Sequence, residues 1–116
     1  MKVLIVDDSA VMRKIVTKVL MEAGHTDLVE AEDGKEALSK AGDVDVVFTD
    51  WNMPVMDGLT FVKEFRKGSQ VPVVMITTEG CQKEVLEAMK AGVNDYIVKP
   101  FTPSVLINKL ESLMMD

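Results

Sequence analysis

Cysteine and histidine occur once each in this chain of 116 residues. Cys81 has no partner for an internal disulfide, and neither it nor His25 has a neighbour with which to hold a metal or to do nucleophilic chemistry. Both are read as structural or exposed. Basic runs are missing as well: 13 Lys and Arg stand against 19 Asp and Glu, a formal charge of −6. No stretch can track a phosphate backbone, so nucleic acid is not expected as a direct partner. No apolar run approaches the roughly 20 residues that cross a bilayer, and no charged start, apolar core and cleavage site marks a signal peptide. A protein of a reducing cytoplasm, away from membranes, is the expectation. Neither a Gly-rich dinucleotide fingerprint nor a Walker loop occurs, which removes the common nucleotide-binding enzymes.

What is present is material for one core. With 47% apolar residues in 116, residues 1–116 are expected to form a single domain with no room for a second. Strand-like runs at Lys2 to Val6, Leu28 to Ala31, Asp45 to Thr49, Val71 to Ile76 and Tyr96 to Val98 alternate with five segments of helical spacing. The first helix opens at Ser9 and carries Met12, Ile15, Val16, Val19 and Leu20, with Arg13, Lys14, Lys18 and Glu22 on its other face and Gly24 as its C-cap. The second follows the capping-box pair Asp33 and Glu36 and runs to Gly42. Asp57-Gly58 caps the third, marked by Leu59, Phe61, Val62 and Phe65 and ended by Gly68. The fourth has Val85, Ala88 and Met89 as its buried stripe and stops at Gly92. The last is capped by Thr102, with Leu106, Leu110 and Leu113 along it. Five βα units imply an α/β fold, a doubly wound parallel sheet covered on both faces, in three layers. The nine methionines are expected mostly to fill gaps in its core.

The chain is organised around Asp50-Trp51-Asn52-Met53-Pro54-Val55-Met56-Asp57-Gly58, directly after Val44, Val46, Val47 and Phe48. A buried strand there delivers a carboxylate into a loop that Pro54 stiffens. In a parallel sheet all strand C-termini lie on one edge, so Asp7, Asp8, Asp50, Thr77 and Lys99 should converge. Taken singly, Asp7-Asp8 reads as a helix cap, Lys99 as a surface charge and Thr77 as a good strand residue; their shared edge is what joins them. Carboxylates crowded together raise one another's pKa values unless a cation compensates. An all-oxygen donor set favours a hard cation, Mg²⁺, with Asp8 and Asp50 as direct ligands and Asp7 holding a water or the metal itself. Metal, carboxylate nucleophile, lysine and hydroxyl are together the parts for forming an aspartyl phosphate on Asp50. Mg²⁺ and Lys99 would neutralise the phosphoryl oxygens, and Thr77 would hydrogen-bond one of them.

These residues are in order, and at the spacing, of a known family. On Asp7-Asp8, the Asp50-Trp51-Asn52-Met53-Pro54 loop continuing to Met56-Asp57-Gly58, Thr77 and Lys99-Pro100-Phe101, the chain resembles the receiver domain of two-component response regulators over essentially its whole length. Trp51, Asn52, Glu79 and Tyr96 make it look most like the stand-alone chemotaxis members, which lack an output domain. The resemblance implies a flavodoxin-like (βα)5 fold with strand order 2-1-3-4-5. It implies that Asp50 takes a phosphoryl group from a phosphohistidine on a sensor histidine kinase, with Mg²⁺ on Asp8, Asp50 and the backbone carbonyl of Asn52 and with Asp7 completing the pocket. Water then removes the phosphoryl group, at a rate tuned by Asn52 and Glu79. Thr78 departs from the Ala or Gly frequent in relatives and adds a β-branched side chain beside that pocket. The Lys99-Pro100 bond is expected to be cis.

The same resemblance implies a switch in which Thr77 moves toward the phosphoryl group and Tyr96 turns inward, reshaping the surface of the fourth helix, fifth strand and fifth helix. Val105 and Ile107 support such a surface independently, since they give the last helix more apolar faces than one core needs. The expected function is a monomeric, phosphorylation-operated binding module rather than a turnover enzyme. Its partners would be a kinase, a target such as the flagellar motor switch, and a phosphatase. Relay to a histidine phosphotransfer protein, or regulation of a kinase, is the alternative within the family. A phosphatase enzyme of the haloacid-dehalogenase type is disfavoured because Asn52 stands where its second acid is needed and the chain has no cap domain.

Overall fold

The computed structural model describes residues 1–114. In chain order the elements are β1 (Lys2–Val6), α1 (Ala10–Glu22), β2 (Asp27–Ala31), α2 (Gly34–Lys40), β3 (Val46–Thr49), α3 (Gly58–Phe65), β4 (Val73–Thr77), α4 (Gln82–Ala91), β5 (Asp95–Val98) and α5 (Pro103–Met114). The strands form one parallel sheet in the order β2-β1-β3-β4-β5, the doubly wound, flavodoxin-like arrangement expected.

Period-2 alternation along the central strands sorts the core into two layers. Leu4, Val6, Val47, Val73 and Met75 face α2, α3 and α4, where Ala37, Phe61, Phe65 and Ala88 meet them. Val3, Ile5, Val46, Phe48, Val74 and Ile76 face α1 and α5, where Val16, Leu20, Leu106 and Leu110 meet them. Both faces are dry, so β1, β3 and β4 read as nearly unbroken apolar runs. Burying each large aliphatic or aromatic side chain contributes about 1.5–3 kcal/mol.

Helix starts follow their caps. Ser9, Asp33 and Asp57 each accept a hydrogen bond from the backbone N–H three residues on, and the Thr102 hydroxyl accepts one from Val105 N at 3.3 Å. The Glu36 carboxylate reaches the Glu32 N–H rather than that of Asp33, so the expected capping box is closed from outside the helix. Gly24 takes the left-handed conformation just past α1, with φ +96°.

Several expectations are corrected. Gly68 is no left-handed cap: α3 closes at Arg66, whose side chain rather than a glycine turn satisfies the nearby carbonyls. The second helix stops at Lys40, two residues short of Gly42, and β4 begins at Val73, because Pro72 has no N–H for the ladder. In α4 only Ala88 is buried; Val85 is half-buried and Met89 is 40% exposed, since one short helix against an edge of the sheet hides a single narrow stripe. Ile15 on α1 is 44% exposed, outside the stripe that Val16 and Leu20 bury. Met75 alone of the described methionines is fully buried; Met12, Met53 and Met56 pack at the core margin, and Met1, Met21, Met89 and Met114 are exposed. Met115, expected to fray with Met114, lies outside the described residues.

Candidate functional site

Register builds the site. Val6 of β1 is level with Thr49 of β3, so the next residues, Asp7 and Asp50, leave the sheet side by side. Asp7 N donates to Ala31 O at 3.0 Å and Asp50 N to Val6 O at 2.8 Å, which carries the ladder one step past the strands. On the other side Thr77 is level with Val98, and Lys99 N donates to Thr77 O at 2.8 Å. The Lys99-Pro100 peptide bond is cis.

Asp7 and Asp50 are buried, Asp8 is exposed, and one carboxylate oxygen from each lies within 4.8 Å of the others. The Lys99 ammonium bridges two of them, 3.1 Å from Asp7 Oδ2 and 3.3 Å from Asp50 Oδ2. The remaining oxygens are held from the backbone: Ser9 N donates to Asp7 Oδ1 at 2.9 Å, and Trp51 N to Asp50 Oδ1 at 2.7 Å. Burial pushes the Asp50 carboxyl above its usual range and the neighbouring Asp7 adds to the push, while Lys99 and the Trp51 N–H oppose it. Three carboxylates against one ammonium leave surplus negative charge. The donors are all oxygen, with no thiolate or imidazole among them, and this set fits a hard divalent cation such as Mg²⁺. Asp8 is the carboxylate left open to solvent, where an arriving ion would first meet the chain.

The loop after Asp50 is folded back on it. Trp51 is buried, and Gly58 N donates to Trp51 O at 2.7 Å. A Cβ on Gly58 would overlap the Asp50 carbonyl oxygen, so only glycine lets α3 start this close to the strand end. Met56 N donates to Pro54 O at 2.7 Å across Val55, whose φ of +68° makes the strained form of γ-turn. Gly34 N ties the same loop to α2 through Met56 O at 2.9 Å.

Around the rim, Asn52 is exposed and its amide donates to the Glu79 carboxylate at 3.2 Å. Thr77 is fully buried, and its hydroxyl accepts the Glu79 N–H at 3.2 Å. Thr78 is exposed at the strand end. The half-buried Tyr96 donates its hydroxyl to the Glu79 carbonyl. Burial, then the carboxylates of Glu79, Glu84 and Asp50, pushes the Tyr96 phenol up to about 12, so it keeps the proton it donates. Glu79 therefore links Asn52, Thr77 and Tyr96. Cys81 and His25 lie elsewhere: Cys81 is exposed at the start of α4, and His25 sits half-buried after α1.

Arg13, assigned from periodicity to the solvent face of α1, instead turns back over the site. Its Nη1 donates to Asp7 O at 2.6 Å and its Nε to the Glu30 carboxylate at 2.9 Å. Its place three and seven residues before the buried Val16 and Leu20 puts it beside the packed stripe of α1, but the carbonyl it reaches lies outside the helix and carries no sequence signal.

A family model described as the response regulator receiver domain matches residues 3–111. A chemotaxis protein CheY homolog of Campylobacter jejuni is 54% identical, with the match covering 98% of this chain and 92% of that protein. Chemotaxis protein CheY1 of Helicobacter pylori is 52% identical, covering 98% and 97%. Among solved structures, the chemotaxis response regulator CheY4 of Vibrio cholerae superposes with a TM-score of 0.89 at 42% identity, covering 97% of each chain.

Proposed function

The chain belongs to the response regulator receiver domain family, and from that premise we propose that it is a phosphorylation-operated switch of the cytoplasm, acting in chemotaxis as the names of its relatives suggest. Asp50 is the phosphoacceptor. A carboxylate oxygen of Asp50 attacks the phosphorus of a phosphohistidine on a sensor histidine kinase; the P–O bond forms as the P–N bond breaks, and the leaving imidazole nitrogen takes up a proton. Lys99, already 3.3 Å from Asp50 Oδ2, offers its charge to the phosphoryl oxygens, and Thr77 offers its hydroxyl. Asp8, Asp50 and the Asn52 carbonyl, with Asp7 behind them, would hold Mg²⁺, which would supply further positive charge to these oxygens.

The observation that carries this reading is the Asp7–Lys99–Asp50 bridge in a pocket that retains an excess of carboxylate. Hydrolysis resets the switch as water attacks phosphorus from the side flanked by Asn52 and Glu79, and Thr78 narrows that approach. Movement of Thr77 toward the phosphoryl group withdraws the hydroxyl that now accepts the Glu79 N–H, and Tyr96 follows because its own hydroxyl rests on Glu79. The surface that changes is the one where Leu86, Met89, Val98 and Val105 are exposed on α4, β5 and α5; Ile107 packs inward. The flagellar motor switch is its proposed target.

Intact mass after incubation with Mg²⁺ and a small phosphodonor tests the site. The wild type should gain one phosphoryl group and lose it on standing, and Asp50→Asn should gain none. Labelling of Asp50→Asn at the wild-type rate would refute the assignment. Continuous hydrolysis of free phosphorylated metabolites would point to an enzyme instead. Pull-downs with and without phosphorylation separate a motor target from a phosphotransfer partner.

A further inference from the structure

We propose that Arg13 is a positioning residue for the metal-binding carboxylates, fixing the peptide that joins Asp7 to Asp8; this rests on the magnesium reading above. The Asp7 carbonyl belongs to that peptide. Its plane determines the direction in which the Asp8 side chain leaves the backbone. The preceding peptide is held through the Asp7 N–H on Ala31 O at 3.0 Å, and the Asp7 carbonyl is held by Arg13 Nη1 at 2.6 Å, the short length of a charge-assisted bond. Asp8 needs this control more than its neighbours do. Ser9 and Lys99 hold the Asp7 carboxylate and Trp51 and Lys99 hold that of Asp50, whereas among the described residues no group donates to the Asp8 side chain. Its place within 4.8 Å of the other two therefore comes from the backbone alone.

The guanidinium is itself aimed. Its Nε is anchored 2.9 Å from Glu30 Oε1, and its side chain is only 17% exposed. Glu30 is held in register opposite Ile5 on the edge strand β2, and Lys40 of α2 donates to the Glu30 carbonyl at 2.8 Å. The chain Glu30, Arg13, Asp7–Asp8 peptide thus runs from the sheet edge to the carboxylate cluster. Groups that orient ligands in this way typically contribute 10–100-fold to metal affinity. An Arg13–Glu30 pair serving only to fasten α1 to β2 would change stability and leave ion affinity alone.

Titrating Mg²⁺ into the full chain, by calorimetry and by the fluorescence of Trp51, whose backbone N–H donates to Asp50 Oδ1, separates the two roles. Thermal melts in EDTA report stability independently. Arg13→Met, which keeps the length of the stem but loses the donors, should weaken Mg²⁺ binding about 10-fold. Arg13→Lys, which retains a donor and the charge, should recover affinity to within about threefold of wild type, and Glu30→Gln should fall between the two. Wild-type affinity in Arg13→Met, whatever its melting temperature, would overturn the proposal. If Arg13→Met does not fold, unchanged affinity in Glu30→Gln overturns it. A wild type that binds no Mg²⁺ would sink the reading of the metal site itself, and this inference with it.

Discussion

The two edges of the sheet each carry a cluster built around a half-buried or buried charge, and they are completed in opposite ways. At the edge where β4 and β5 begin, Arg66 donates to Gly92 O at 3.0 Å, Ser69 O at 3.2 Å, Val71 O at 2.7 Å and Asn94 Oδ1 at 2.7 Å. Asn94 Oδ1 also accepts the Val73 N–H at 2.8 Å, so one guanidinium and one amide close the end of α3 and the starts of β4 and β5. At the opposite edge Asp7, Asp8 and Asp50 share a single ammonium, and charge is left over. Each cluster has a glycine at its point of closest approach: Gly92, at φ +111°, lies against Arg66, and Gly58 lies over Asp50. The glycines mark tight packing in both places. What distinguishes a structural cluster from a functional one is whether the chain itself supplies all the partners.

The largest effect expected from this contrast is at Arg66. Arg66→Met leaves several carbonyls without their donor and should cost about 2–3 kcal/mol in urea unfolding. Mg²⁺ affinity and phosphorylation of Asp50 should be unchanged; a parallel loss of both would break the division between the two edges.

Asp50→Asn should do the reverse, removing the chemistry while stabilising the fold. The folded-state pKa of Asp50 is raised above its ordinary value, so the native state binds the extra proton and ionisation at neutral pH works against folding. In metal-free buffer at pH 7 the variant should melt at a higher temperature than the wild type. The gain should shrink as pH falls through the raised pKa and vanish below the ordinary aspartate value of 3.8, where the carboxyl is protonated folded or unfolded. A gain that does not depend on pH would assign the effect to packing rather than charge.

The smallest effect expected is at Val55, which sharpens the contrast by asking where strain is kept. A β-branched residue at φ +68°, 78% exposed, gains little from burial to offset its conformation. Val55→Gly relieves the strain but adds freedom to the unfolded chain, for a net stabilisation of about 0.5–1 kcal/mol. Calorimetric melts in EDTA check it, and a loss of stability would show that the Val55 side chain is held by contacts of its own.

Much of this was legible beforehand because it depends on short-range pattern. Apolar alternation and cap residues located ten elements in their order, and parallel strands oblige Asp7, Asp50 and Lys99 to emerge on one edge. Side chains that act across elements were not legible. By charge Arg13 groups with Lys14 and Lys18, although it stands three and seven residues before the buried Val16 and Leu20, and the carbonyl it reaches carries no sequence signal; Arg66 carries none either, most of its acceptors being backbone carbonyls that any sequence possesses. The exposure of Met89 and Ile15 was hidden in the same way, since periodicity tells which face of a helix is apolar but not how wide a stripe the sheet covers.

By itself, then, the order of residues determined the fold class and the set of acidic and basic groups that meet at the strand ends, because alternation, caps and parallel pairing are local rules with one topological outcome. Only the folded chain decided which of those groups are saturated and which keep charge to spare. Saturation depends on differences of a few tenths of an ångström in the separations of residues far apart in sequence, and those are set by packing.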